Sequence, residues 1–457
     1  MIVVLPDKFS IRRLSFCALA ALAAAVAVLS AAGCSEYFDS SKLNGVSDYF
    51  DSSVTIEGVS YPPDTRSVTL TEYRSDDYSD FAKLKNLRTL DVTALDITPD
   101  AYQNIRSQLA QDVEIIWSVP MERGKQSSNS SELSFAGGIS PSDAHNVRYF
   151  TAIRKLSITD AEISDSLFTA ITAAQDNNPD VEIFCSAKIY GVSLDSGTEL
   201  LDLNNIPIES PDLLCKAIEL FPGIRTVEMC GCGLSDRVMQ GLREEYPQIK
   251  FVWTVRFLNY EVRTDIQVFS TLAANLKRPG NSETFAPLFL YCTELRALDL
   301  GHMAITDISL ITNLKKLHTL ILADNYITDI TPVAELKELV YVELFQNRIS
   351  DVSPLLALPN LEDLNLCYNV RMENPTVLTG CTKLKRLYIS HCSLDSGEIS
   401  QLRNGIPADC EFNFTAPNCV FSGWRTKSNA RNTKIREAFK NWKNVKEYPT
   451  WDNIIYK

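Results

Sequence analysis

Between residues 295 and 366 the apolar positions of this chain recur every 22 residues. Leu295, Leu298 and Leu300 return as Leu317, Leu320 and Leu322, then as Leu339, Val342 and Leu344, then as Leu361, Leu364 and Leu366. In an extended strand, side chains two apart lie on one face, so the second and third members of each triplet share an apolar side. Behind the triplets runs a second common string, "AITDISLITNL", "YITDITPVAEL" and "RISDVSPLLAL". A unit this short cannot cover its own apolar edge, so the units must stack and share one core. The pattern predicts strands at 295–300, 317–322, 339–344, 361–366 and 384–389.

Upstream, a longer period of about 68 residues relates Trp117, Cys185 and Trp253, and Leu70, Phe135 and Leu203. Each such module reads as a short strand ("ELSF", "ELLDL"), then a second strand ("LRTLDV", "IRKLSI", "IRTVEM"). A helical connector follows ("DAYQNIRSQL", "DSLFTAITAAQ", "DRVMQGLREEY"), and then an alternating strand ("VEIIWSV", "VEIFCSA", "IKFVWTV"). The connectors show helical spacing and begin with capping Thr, Ser or Asp. The array ends on a helical connector, "SGEISQLRNG", and a closing strand, "CEFNF". Polar stretches at 121–131 and 276–284 read as loops.

Apolar positions 1, 4 and 6 with Asn or Cys further on are the signature of leucine-rich repeats. The expected fold is therefore α/β: a leucine-rich-repeat solenoid over 54–414, with irregular long repeats to about 290 and regular ones over 294–382. A parallel sheet would line its concave face, and helical or irregular connectors its convex face. Asn325, Asn347 and Asn369 recur at the position of a buried amide ladder that bonds the turns of adjacent units. Asp329 and Asp351 belong to the repeated "TD" and "SD" turns.

Residues 1–33 read as an address. Lys8, Arg12 and Arg13 precede the uncharged run "LSFCALAALAAAVAVLSAAG", as in an export signal. About 20 apolar residues also suffice to cross a bilayer, so an uncleaved anchor and a simple cleaved signal are the alternatives. "LSAAGC" resembles the lipobox of bacterial lipoproteins, with Ala31 where leucine is usual. The resemblance implies cleavage before Cys34 and a lipid on that residue, anchoring the chain at the outer face of the cell membrane. Residues 34–53, acidic and rich in Ser and Asp with "YFDSS" twice, read as a flexible tether.

The chain carries a net charge of −13, yet residues 424–457 hold nine Lys/Arg against three Asp/Glu. Within that tail Ile435, Phe439, Trp442 and Val445 fall at helical spacing. A basic amphipathic helix binds membranes or nucleic acid; an aromatic cap over the last repeat is the reading preferred for 415–457. Export leaves no nucleic acid to bind. The twelve cysteines fall largely on core positions: Cys292 and Cys381 replace a leucine, while Cys232 and Cys392 take the ladder position. They read as buried free thiols.

No catalytic motif, metal-ligand spacing or phosphate-binding loop appears, so no catalytic residue, metal or cofactor is expected. What remains is the strand face opposite the leucines. There Tyr341, Glu343, Phe345, Asp363, Asn365 and Tyr388 form one patch, read as exposed aromatics edged by charge, the composition of a binding hot spot. The 22-residue units resemble the internalin-type repeats of bacterial surface proteins, "LxxLxLxxNxITDIxPL". That resemblance implies a non-enzymatic protein that binds a protein or glycan on its concave face. A structural scaffold of the cell envelope is the alternative.

If the mature chain begins at a lipidated Cys34, Cys34→Ala will leave a longer precursor that takes up no labelled lipid. Unchanged size and labelling would remove the anchor from the account.

Overall fold

The computed structural model describes residues 53–257, 260–271, 283–415, 423–425 and 430–440. The leader, Cys34, nearly all of the tether, most of the 276–284 loop and the chain beyond Lys440 lie outside the described residues. Contacts divide the chain into two units. One holds the residues to Phe135 with Ile139–Ser157 and Asp165–Ile183; the other holds Ala136–Gly138, Ile158–Ser164 and everything from Phe184. Among the described residues no helix is long and apolar enough to cross a membrane.

The first unit opens with a hairpin, β1 (Val54–Ile56) against β2 (Val59–Tyr61). A parallel sheet follows, made of β3 (Ser67–Thr69), β4 (Thr89–Asp91) and β5 (Glu114–Ile116). Its register pairs Val68, Leu90 and Ile115, all buried. Helix α1 (Pro99–Gln108) crosses between β4 and β5, with Thr98 accepting the Ala101 amide hydrogen bond and proline in its first turn, as helix starts favour. Trp117 is buried where the long period placed it, stacked on Tyr102 at 4.9 Å and edge-on to Tyr149 at 5.1 Å.

The stretch read as a polar loop at 121–131 instead contains a strand. Strand β6 (Ser118–Met121) pairs antiparallel with β7 (Gly124–Ser127). Both have half-exposed faces, so "GKQS" carries no apolar alternation to betray it, and a two-residue turn supplies the register. Similar hairpins form elsewhere. The 68-residue modules therefore carry ribbons between their parallel strands.

Strand β8 (Glu132–Ala136), helix α2 (Pro141–Asn146), strand β9 (Lys155–Glu162) and helix α3 (Asp165–Asn177) follow along the chain. In the second unit Ala187–Ile189 at the end of β10 (Glu182–Ile189) pairs antiparallel with β11 (Val192–Leu194). Strands β12 (Leu200–Asp202), β13 (Thr226–Glu228) and β14 (Lys250–Val252) pair in parallel, with helices α4 (Asp212–Leu220) and α5 (Asp236–Glu245) between them along the chain. Strands β15 (Thr254–Phe257) and β16 (Tyr260–Arg263) form a hairpin. Then comes a seven-stranded parallel sheet in chain order: β17 (Val268–Ser270), β18 (Ala297–Asp299), β19 (Thr319–Ile321), β20 (Tyr341–Glu343), β21 (Asp363–Asn365), β22 (Arg386–Tyr388) and β23 (Glu411–Asn413).

The register of this sheet shows what the period means. Leu298, Leu320, Val342, Leu364, Leu387 and Phe412 stand side by side on the core face. Two rows look the other way: Ala297, Thr319, Tyr341, Asp363, Arg386 and Glu411, and Asp299, Ile321, Glu343, Asn365, Tyr388 and Asn413. Positive φ occurs at Ala304 after β18, Asn374 after β21 and Ser393 after β22. After each of β18 to β22 a non-glycine residue also turns the chain with positive φ: His302, Asp324, Gln346, Tyr368 and His391, at 53° to 62°.

The next residue carries the ladder. The Asn325 side-chain oxygen accepts from the Met303 and Ile305 amides at 3.0 Å, and its NH2 donates to Leu300 and Leu322 carbonyls at 3.0 Å. Asn347 and Asn369 repeat this with Ile327 and Ile349 amides at 3.1 Å. At the same position Cys392 donates its thiol to the Leu366 carbonyl at 3.2 Å. On the connectors Asp307, Asp329 and Asp351 each accept from the amide two residues on at 2.8 Å. These Asx turns start the 3-10 segments that bury Ile311, Val333 and Leu355. Helix α6 (Ala286–Tyr291) precedes β18, and helix α7 (Ser396–Gly405) carries a full capping box between Asp395 and Glu398.

The nine described cysteines are all free thiols. Cys232 is buried while Cys230 is half-buried, and Cys185 is half-buried where Trp117 and Trp253 are buried. Burial pushes the Cys392 thiol up to about 12 and Cys381 up to about 11. The reactive form is the thiolate, so both are inert at neutral pH.

Asn347→Ala strands the Ile327 amide inside the core, at about 1–3 kcal/mol, and takes one of two bonds from each of the Leu322 and Leu344 carbonyls, which keep Asn325 and Asn369. The midpoint of urea unfolding should fall by about 1 M or more. Asn347→Cys, which keeps the donor that Cys392 uses, should lose less. Equal losses would deny the ladder its hydrogen bonds.

Candidate functional site

The patch expected to face solvent does not. Tyr341, Glu343, Phe345, Asp363, Asn365 and Tyr388 lie together on the sheet face, and each exposes 6% of its surface or less. What covers them is the C-terminal segment of the same chain. Residues 423–425 and helix α8 (Ala430–Lys440) lie on this face, with α8 reaching β17. The basic tail thus covers the sheet rather than the last repeat alone.

Trp424 is the centre of the contact. It is fully buried, with its ring 5.4 Å from that of Tyr341 and 5.1 Å from that of Tyr388. The Arg386 guanidinium lies over it at 4.2 Å and donates to its carbonyl at 3.3 Å. Such cation–π contacts contribute up to about 2 kcal/mol when desolvated. Gly423 admits the tryptophan: its φ is +119°, and a Cβ there would collide with the Tyr388 hydroxyl. Tyr388 is itself buried and bonded to Glu411, so it has no room to yield.

Two arginines on the tail answer two carboxylates on the sheet. Arg425 Nε donates to both Glu343 oxygens, at 3.3 and 3.1 Å, and its Nη2 donates to Oε2 as well. Tyr341 donates its hydroxyl to the other side of Glu343, and Asn432 donates to that hydroxyl at 3.2 Å. Arg431 divides itself between Asp363 at 2.7 Å and Glu362 at 2.5 Å. Asp363 also accepts from Arg386 Nε at 2.8 Å.

Burial should lower the pKa of each of these arginines, but the facing carboxylates outweigh it. Glu343 raises Arg425, and Asp363 raises Arg386 and Arg431, so all three stay charged. Asp299, further along the Glu343 row, is pushed above the usual carboxylate range by burial. It accepts from Ser270 and the Gly301 amide at 3.0 Å. Burial, then Glu343, pushes the Tyr341 phenol well above its ordinary value.

The arrangement suits holding rather than reacting. Each carboxylate described is met by an arginine, a hydroxyl or an amide, and a desolvated carboxylate requires such partners. Among the described residues no cluster of three or more His, Cys, Asp or Glu is placed to hold a metal ion. The strand spacing puts Thr319 and Arg386 on the same face as the patch, though outside the candidate set, and no spacing brings in the tail residues Trp424, Arg425, Arg431 and Asn432. One signal was available: carboxylates at strand positions facing away from the core, in a chain whose only strongly basic stretch is its tail.

Trp424→Ala should undock the segment and spare the array. Deleting a buried Trp side chain costs about 3–5 kcal/mol, enough to shift docking by about 100-fold or more at 1.4 kcal/mol per decade. Hydrogen exchange should become fast across 430–440 and stay slow in β18 to β22. Continued protection of 430–440 would take the anchoring role from Trp424.

The family described as leucine-rich repeats, two copies, matches residues 293–335. No curated protein matches the chain in sequence. Among solved structures the chain is similar to internalin C2 of Listeria monocytogenes, at 18% identity over 58% of this chain and 85% of that one, with a TM-score of 0.22. It is similar to a second Listeria monocytogenes internalin at 16% identity over 64% and 84%, TM-score 0.25. A leucine-rich-repeat protein of Leptospira interrogans gives 14% identity over 73% and 92%, TM-score 0.26. The fold of the regular array is accordingly the leucine-rich repeat, α/β, with parallel strands behind 3-10 and helical connectors.

Proposed function

We propose that this chain is a non-enzymatic binding protein of the cell exterior, held at the membrane by a lipid on Cys34. The sheet face around Tyr341, Glu343, Phe345, Asp363, Asn365 and Tyr388 is its ligand surface, for a protein or a glycan. The observation that carries this reading is that the face already holds a polypeptide. It offers an aromatic pocket between Tyr341 and Tyr388 and carboxylates spaced for arginines. Aromatic and arginine contacts of this kind dominate binding energies at protein interfaces. No cofactor enters this function.

The test is cross-linking in intact cells that carry the full chain, followed by recovery of whatever is joined to it. Glu343→Lys reverses the charge at the centre of the face, and Asp363→Asn weakens it more gently. Glu343→Lys should reduce recovery of the ligand about 30-fold, the equivalent of roughly 2 kcal/mol, and Asp363→Asn by less, with circular dichroism confirming the fold. Full recovery by both folded variants would move the site elsewhere and favour the envelope-scaffold alternative.

A further inference from the structure

We propose that the partner of this face is a polypeptide with the chemistry of residues 423–440, a Trp-Arg anchor leading into a basic helix, and that the chain's own segment is its intramolecular competitor. The proposal rests on the reading of the sheet face as the ligand surface and narrows it to one class of ligand.

Charge is the first argument. Asp299, Glu343, Glu362, Asp363 and Glu411 gather on and beside the face, against Arg386 alone from its strands. Residues 423–440 carry six Lys/Arg and one Glu in a chain of net charge −13. Like charges brought onto this face would be repelled by its desolvated carboxylates, which excludes acidic partners.

Shape is the second. The Trp424 site is closed by Tyr341 and Tyr388 with Arg386 above, and the approach needs a residue without Cβ before the indole. Glu343 then stands where the next residue's guanidinium arrives, and Asp363 with Glu362 where a second one, six positions on, arrives from a helix. The face therefore specifies an order along a partner's sequence: small residue, tryptophan, arginine, then arginine in the following helix.

The third argument concerns how well the resident segment fits. Asn365 Nδ2, Arg386 Nη2 and Thr319 Oγ1 on the face are buried and meet no hydrogen-bond partner among the described residues. A buried polar atom that has given up water without gaining a partner is destabilising. The described residues of the resident segment leave these bonds unmade, so a partner that supplies them binds more tightly. Tethering compensates for the poorer fit, because a short linker keeps the segment at an effective concentration of about 1 mM.

The probe is a labelled synthetic peptide of residues 423–440, titrated onto the full chain. Arg425→Glu with Arg431→Glu sets like charges against Glu343 and Asp363 and releases the resident segment. Gly423→Val releases it sterically without altering charge. If the peptide's own Kd is about 10 μM, a resident competitor near 1 mM weakens apparent binding about 100-fold. The peptide should therefore bind both released chains about 100-fold more tightly than the wild type. A peptide carrying the two arginine-to-glutamate changes should not bind.

Equal binding to wild-type and released chains would put the peptide elsewhere and overturn the proposal. So would absence of binding to released chains that circular dichroism shows folded. Displacement of the segment by a polysaccharide but not by the peptide would assign the face to glycans. A wild-type dimer in which one copy's tail is protected on the other would assign it to a second copy. If the peptide binds as expected while cross-linking in cells recovers nothing, the docking chemistry stands and the ligand-binding role falls.

Discussion

A three-residue strand in this sheet must give one side chain to the core and two to the opposite face, because successive residues point to opposite sides of the pleat. Leu298, Leu320, Val342, Leu364 and Leu387 meet the first demand, and stacking makes them a continuous apolar row. The asparagine ladder and the Asx turns close each unit behind them. Once those are in place, the residues facing away are unconstrained by the stack. Tyr341, Glu343, Asp363 and Arg386 occupy positions where the repeat would accept almost anything.

That freedom explains the character of the tail contact. Glu343 and Asp363 need no partner while water reaches them, but under Trp424 and α8 they are desolvated. A buried carboxylate is tolerated only with its charge met and its lone pairs bonded, and Arg425 and Arg431 do both. The tail contact thus adds charge and one aromatic site to the buried apolar residues of α8, Ile435, Ala438 and Phe439. A terminal segment that lies outside the stack opens at lower free energy than the core it rests on. Undocking the segment therefore leaves the leucine row intact.

The repeat pattern was legible because stacking imposes it: all five predicted strands of the regular array contain the observed ones, and "SGEISQLRNG" is helix α7 to the residue. Asp329 and Asp351 were rightly read as turn residues, with amide partners two positions on. Hairpins such as β6–β7 escaped notice because their strands bury little on either face. The six candidate site residues were placed on the correct side of the sheet, but their burial was not foreseen. Arg425 meets Glu343 across 82 positions, and Asn432 meets Tyr341 across 91, a distance at which no local spacing reports contact.

The sequence by itself therefore determined the stacked strands, their register and the identity of the outward-facing patch, since each follows from periodicity within one or two units. Only the tertiary structure decided that this patch is covered and by what. Core positions are interchangeable in kind, so a period reveals them. The pairing of Trp424 with Tyr341 and Tyr388, and of two arginines with two carboxylates, depends on where a non-repeating segment comes to rest in space.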